Sequence, residues 1–161
     1  MTSPPFRLPA ATREEFVESA AILLEEQGLI RMSGRTLAWL MICDPPHQSA
    51  AQLAAALSAS AGSISATTRE LVRYGLVDRV AFTGDRKDYF LLRPGIWWHL
   101  MQSRLQFIHD FWTLAERGRE IVDSEEARQR LDEVKEFYEF LEEAMRDGLK
   151  RWQTARQEAA P

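Results

Sequence analysis

Between Ser49 and Phe90 the apolar residues change period, which restricts this segment to two short helices followed by a hairpin. Leu53, Ala54 and Leu57 recur at helical spacing, as do Ile64, Thr67 or Thr68, Leu71 and Val72 further on. Val77 to Phe82 then reads as a strand, Thr83 to Asp88 as a turn, and Tyr89 to Leu92 as the returning strand. Ser49 and Ser60 stand where a hydroxyl caps each helix. Ser58 to Ser60 make the turn between them, and Gly75 stops the second helix.

The flanks read as helices. Thr12, with Glu15 three residues on, forms a capping-box pattern ahead of Phe16, Ala20, Leu23 and Leu24, and Gly28 ends that run. Val17, Ala21 and Ile22 lie off the first stripe, so this helix is expected to be covered on more than one side. Ser33 is expected to open a second helix carrying Leu37, Trp39, Leu40, Met41 and Ile42, which Asp44-Pro45-Pro46 terminates. A long aromatic helix is expected over roughly Gly95 to Val122, with Pro94 in its first turn. One stripe on it runs Trp97, Met101, Leu105, Ile108, Trp112, Ala115; a second runs Leu100, Phe107, Phe111, Leu114. Two stripes imply two partners. A last helix from near Ser124 carries Leu131, Val134, Tyr138, Leu141, Met145, Gly148 and Trp152, a coiled-coil-like seam with acid on its outer face.

The 161 residues suit one domain, or one domain with a helical extension. The longest apolar run is seven residues, Leu37 to Cys43, against about 20 needed to span a bilayer. The N-terminus lacks a signal-peptide pattern, so the chain reads as cytoplasmic with a loose leader. Its one cysteine, Cys43, forms no internal disulfide and is expected in the core. The net charge of −4 looks unsuited to a nucleic-acid partner until it is mapped. Residues 60–93 hold six basic and four acidic side chains, net +2, whereas residues 116–147 hold six basic and twelve acidic, net −6. With a screening length of about 10 Å, the local charge decides phosphate attraction.

A helix enters a major groove only if the side chains facing the base edges are short, or flexible and polar. Ala61, Gly62, Ser63, Ser65 and Ala66 permit close approach, while Arg69 and Arg73 reach toward phosphate or a guanine edge. Ser60 and the free N–H groups at this helix start suit a phosphate. Arg86 and Lys87 follow Gly84 at the hairpin tip, a shape suited to a narrow minor groove, and Asp85 is expected to hold the Arg86 guanidinium. Any one of these elements fits an ordinary α+β core with solvated charges. Their order and spacing together point to double-stranded DNA.

The runs GLIRMSGRTLAWLMICDPP, QLAAALSASAGSISATTRELVRYGLVDRV and GDRKDYF resemble the winged helix-turn-helix regulators of the MarR superfamily, in particular its GbsR-like branch. The resemblance is specific over about Gly28 to Phe90 and weaker in the flanking helices. It implies a mainly α fold with a small β-hairpin wing: a winged helix-turn-helix plus a helical dimerisation region. The recognition helix falls on Ser60 to Tyr74 and the wing on Phe82 to Tyr89. The wing departs from the wider superfamily in that Asp85 and Arg86 are adjacent. The expected division is a flexible leader over 1–11, a DNA-binding domain over 12–93 and a dimerisation region over 94–161, with 12–28 packing on the latter. The function implied is a homodimeric transcriptional regulator, usually a repressor, on a pseudo-palindromic operator, often switched by a small-molecule effector.

Trp97, Trp98, Met101, Phe111 and Trp112 are the candidates for such an effector pocket. An aromatic box suits quaternary ammonium compounds, and plain packing in a dimer core accounts for the same residues. No cofactor is expected and no metal site: His99 and His109 lie about 80° and 15 Å apart on one helix. His109 fits an interface histidine, His47 an exposed loop, and the acid between Asp123 and Glu143 a solvated helix face. No phosphate loop, G-x-S-x-G or CxxC pattern supports an enzyme. The alternative is a winged-helix adaptor that uses its acidic last helix to bind a protein.

Overall fold

The computed structural model describes residues 12–158. The expected leader over residues 1–11 lies outside them. Six helices and three strands follow in the order α1 (Arg13–Glu26), α2 (Arg31–Ile42), β1 (His47–Ser49), α3 (Ala50–Ala56), α4 (Ala61–Arg73), β2 (Val77–Ala81), β3 (Asp88–Leu92), α5 (Ile96–Gly118) and α6 (Glu125–Glu158). The chain divides into two compact units that meet in sequence between Ile96 and Trp97.

In the first unit, local chemistry sets most helix ends. Thr12 and Glu15 close the capping box on α1, and Ser49 does the same for α3 with Gln52 as partner. The Ser60 hydroxyl accepts the Ser63 N–H to start α4, and Gly75, at φ +69°, turns the chain out of it. The start of α2 differs from expectation. It begins at Arg31 after Ile30, which offers no side-chain cap, and Ser33 lies inside the helix. The Ser33 hydroxyl is instead used over distance, donating to Glu70 on α4 and tying the two helices together.

Helices α1 and α2 cross closely because Gly34 has no side chain: an added Cβ would lie 3.1 Å from the Ala21 Cα. Glu18 accepts from Arg31 at 2.9 Å and Arg35 at 2.6 Å beside this crossing. Val17, Ala21, Leu37, Leu40, Leu53, Leu57, Ile64, Leu71 and Val77 form the core beneath. The sheet order is β1-β3-β2, antiparallel throughout. Strand β1 departs from the expected loop: His47 pairs with Leu91 and Ser49 with Tyr89, so the residue after two prolines is not an exposed loop histidine. His47 is half-buried against Phe82 and Tyr89, with ring centroids 4.8 and 5.3 Å away.

The second unit is a helical hairpin. Gly95 takes φ +73° after Pro94, so α5 starts at Ile96, and it ends at Gly118 rather than near Val122. An added Cβ at Gly118 would lie 3.2 Å from the Leu131 side chain, so glycine permits that approach. Trp112 meets Glu142 and Trp98 meets Trp152, which makes α5 and α6 antiparallel. Leu105, Ile108 and Ala115 of the first α5 stripe are buried, while Phe107, Phe111 and Leu114 of the second are exposed.

Candidate nucleic-acid interface

Ile64 and Leu71 are fully buried and Thr67 and Thr68 nearly so, which fixes the rotation of α4. The rotation leaves Ala61, Gly62, Ser65, Ala66, Arg69 and Arg73 exposed, with Ser60 exposed before them and Ser63 half-buried. No atom lies within 4 Å of the Cβ position at Gly62, so the helix presents open space there. The Arg69 Nε–H donates to the Ser65 carbonyl at 3.1 Å, which lays this side chain along the helix. Arg73 lies over the Tyr74 ring at 5.2 Å.

The wing is β2, β3 and the turn between them, with Gly84 at φ +89°. Arg86 and Lys87 are exposed on it. Asp85 does not hold Arg86 as expected. Its carboxylate accepts the Tyr89 hydroxyl at 2.6 Å and the Lys87 backbone N–H at 3.0 Å, and the two bonds hold it below the usual carboxylate range. A short carboxylate one residue before the arginine is better placed to cap its own turn. Asp85 therefore shapes the tip, and Tyr89 links that tip to Phe82 and His47 at the wing base. A cavity of about 610 Å³ separates α4 from the wing, with Arg69, Arg79 and Lys87 around it.

The candidate effector residues do not form one group. Trp97, Trp98 and Met101 line a cavity of about 410 Å³ with Leu149 and Trp152, and Trp98 and Trp152 stack at 6.0 Å. Phe111 packs elsewhere, on Phe107 and Tyr138. Trp112 donates its indole N–H to Glu142 at 2.7 Å.

Glu142 also corrects the reading of the acidic run as a solvated face, being 8% exposed. Burial pushes its carboxyl up, but bonds from Trp112, Arg146 and His109 outweigh that and hold it below the usual range. His109 is thus partnered within its own chain. Because the folded value lies below the unfolded one, the stabilisation is present at neutral pH and is lost as the pH falls below the ordinary value of 4.5. Glu142→Gln is expected to cost about 1–2 kcal/mol at neutral pH, since charged acceptors bind more strongly than neutral ones. Urea unfolding at about pH 7 and about pH 4 checks this: the gap between wild type and variant shrinks in acid.

Among the described residues, no group of three or more His, Cys, Asp or Glu side chains is placed to hold a metal ion, and no helix is long and apolar enough to cross a membrane. Burial raises the Cys43 thiol above its ordinary value, which keeps it protonated.

A capped helix with an open, small-residue outer side, followed by a two-stranded wing that exposes Arg86 and Lys87 at its turn, is the architecture of a winged helix-turn-helix DNA-binding regulator. Similar proteins agree. Residues 95–156 match the family model of MmpR5-like MarR family transcriptional regulators. The HTH-type transcriptional regulator MmpR5 of Mycobacterium tuberculosis is 38% identical over 140 residues, covering 86% of this chain and 85% of that protein. A crystal structure of a transcriptional regulator superposes with a TM-score of 0.71 at 35% identity, covering 88% of this chain and 98% of that one. The chain belongs to the MarR family of transcriptional regulators. These matches lie on MmpR5-like members and do not carry the GbsR-like placement. They are regulators rather than enzymes, and they do not favour the adaptor alternative.

Proposed function

We propose that this regulator is a cytoplasmic homodimer that represses transcription by occupying a pseudo-palindromic operator. The outward side of α4 carries this conclusion: its exposed small residues are followed by Arg69 and Arg73 and flanked by a wing bearing Arg86 and Lys87. In this reading Ser63, Ser65, Ala66 and Arg69 face bases or nearby phosphates, Ala61 and Gly62 give clearance, and Ser60 and Arg73 meet phosphates. Arg86 and Lys87 enter the minor groove, and Asp85 fixes the turn that presents them. Dimerisation is supported by the second unit, where Phe107, Leu114, Phe137 and Phe140 are each more than half exposed in a single chain. Apolar surface of that extent calls for a partner.

Arg86→Ala is expected to weaken operator binding by about 1–3 kcal/mol per half-site, with a smaller loss on generic duplex. Titration of labelled duplexes at one fixed salt concentration checks it, and equal affinities for variant and wild type would remove the wing from the interface. A small-molecule effector would enter the cavity of Trp97, Trp98 and Met101. Quenching of tryptophan fluorescence together with release of operator would show it.

A further inference from the structure

The cavity between α4 and the wing joins the outer side of α4 to the wing tip, and Arg79 on its wall belongs to neither. Three cations reach it from three separate elements: Arg69 from α4, Arg79 from β2 and Lys87 from the turn. Thr68 and Phe90 also line it, and Asp88 is the one carboxylate among its lining residues. We infer that this cleft is a seat for one sugar-phosphate strand, and that Arg79 is the residue that clamps it.

This seat rests on the DNA-binding reading above and on duplex geometry. A helix in the major groove and a wing in the neighbouring minor groove must straddle the single backbone strand that separates those grooves. The space between α4 and the wing is therefore where phosphates pass. Arg79 projects from the strand facing that space and is 63% exposed along its side chain, so it is free to meet solvent anions. Among the described residues its close acid is Asp88, at 3.6 Å from the Arg79 Nε, a long contact at an exposed site. Such a pair contributes little and is readily exchanged for phosphate. Asp88 thus serves as a placeholder: it aims Arg79 in free protein and partly offsets its charge toward random anions. This assigns Arg79 a role that neither the outer side of α4 nor the wing tip supplies, holding register without reading sequence.

The test compares Arg79→Ala, Arg79→Lys and Arg86→Ala with wild type, on operator and on generic duplex, across a salt series. Each lost phosphate contact lowers the slope of log affinity against log salt by about 0.9, so a dimer altered in both copies loses nearly 2. At 0.1 M salt this is a loss of about sixtyfold for Arg79→Ala, equal on both duplexes. Arg79→Lys keeps most of the slope because it keeps the charge. Arg86→Ala instead loses more on operator than on generic DNA. A purely structural role for Arg79 would lower the melting temperature and leave the slope unchanged. An unchanged slope for Arg79→Ala, or a loss confined to operator, overturns the clamp while the regulator reading stands. Wild-type protein that shows no salt-dependent duplex binding overturns the regulator reading itself, and the clamp with it.

Discussion

Ala66→Glu is expected to lose at least about a hundredfold in duplex affinity while the protein stays folded and dimeric. Ala66 is exposed at the middle of α4, one turn before Glu70, and its methyl group contributes nothing to the core. A carboxylate there faces base edges and phosphates at close range. Like charges brought together across an interface cost several kcal/mol, and about 2.8 kcal/mol already corresponds to a hundredfold. Helix propensity barely changes, because glutamate is a good helix former. Circular dichroism should therefore overlay wild type while band shifts disappear. Retained binding would mean that another surface holds the DNA.

Gly34→Leu is expected to destabilise the first unit by about 3 kcal/mol, the upper end of overpacking costs. A Cβ at this position already meets the Ala21 Cα at 3.1 Å and the Ala21 carbonyl oxygen at 3.2 Å, both main-chain atoms that cannot swing aside. Relief requires α1 and α2 to separate, which strains the Glu18 pairs with Arg31 and Arg35 and loosens the Val17 and Leu37 core. Gly34→Ala is the milder case, since its gain in helix propensity, about 1 kcal/mol, offsets part of the crowding. Thermal unfolding of both variants measures the difference. Equal melting temperatures for wild type and Gly34→Leu would show that the crossing is not tight.

The features legible in sequence are those set by neighbours along the chain. Ser49 and Ser60 cap helices with N–H groups three residues away, Gly75 ends α4 through its own backbone angle, and Ile64 and Leu71 fix a face by period alone. What escaped is set across the fold. Strand β1 is three residues long and exists because β3 pairs with it, so no pattern announces it. Ser33 looks like a cap until Glu70, 37 residues away, takes its hydroxyl. Asp85 and Arg86 are adjacent in sequence, yet Tyr89 outcompetes the arginine for the carboxylate. Glu142 is one acid among many on α6, and only the position of Trp112 on α5 singles it out.

The expected interface divides along the same line. The outer residues of α4 follow from the helical period, whereas Arg79 becomes a candidate only when the wing folds back to face Arg69 across a cleft. The proposed effector set fails as a single group for a related reason. Phe111 and Trp112 share a helix with Trp97 and Trp98, but Tyr138 and Glu142, which they meet on α6, lie about three to four turns from the Trp152 that Trp98 meets.

Hydroxyl-radical footprinting of the full-length protein on a fragment selected from its own genome reaches the heart of this account. Two matched protected patches are predicted on one side of the duplex, their centres one helical turn or a whole multiple of about 10.5 bp apart, and both vanish with Ala66→Glu. A single patch, or protection that persists in that variant, would contradict a paired reader built on α4 and the wing.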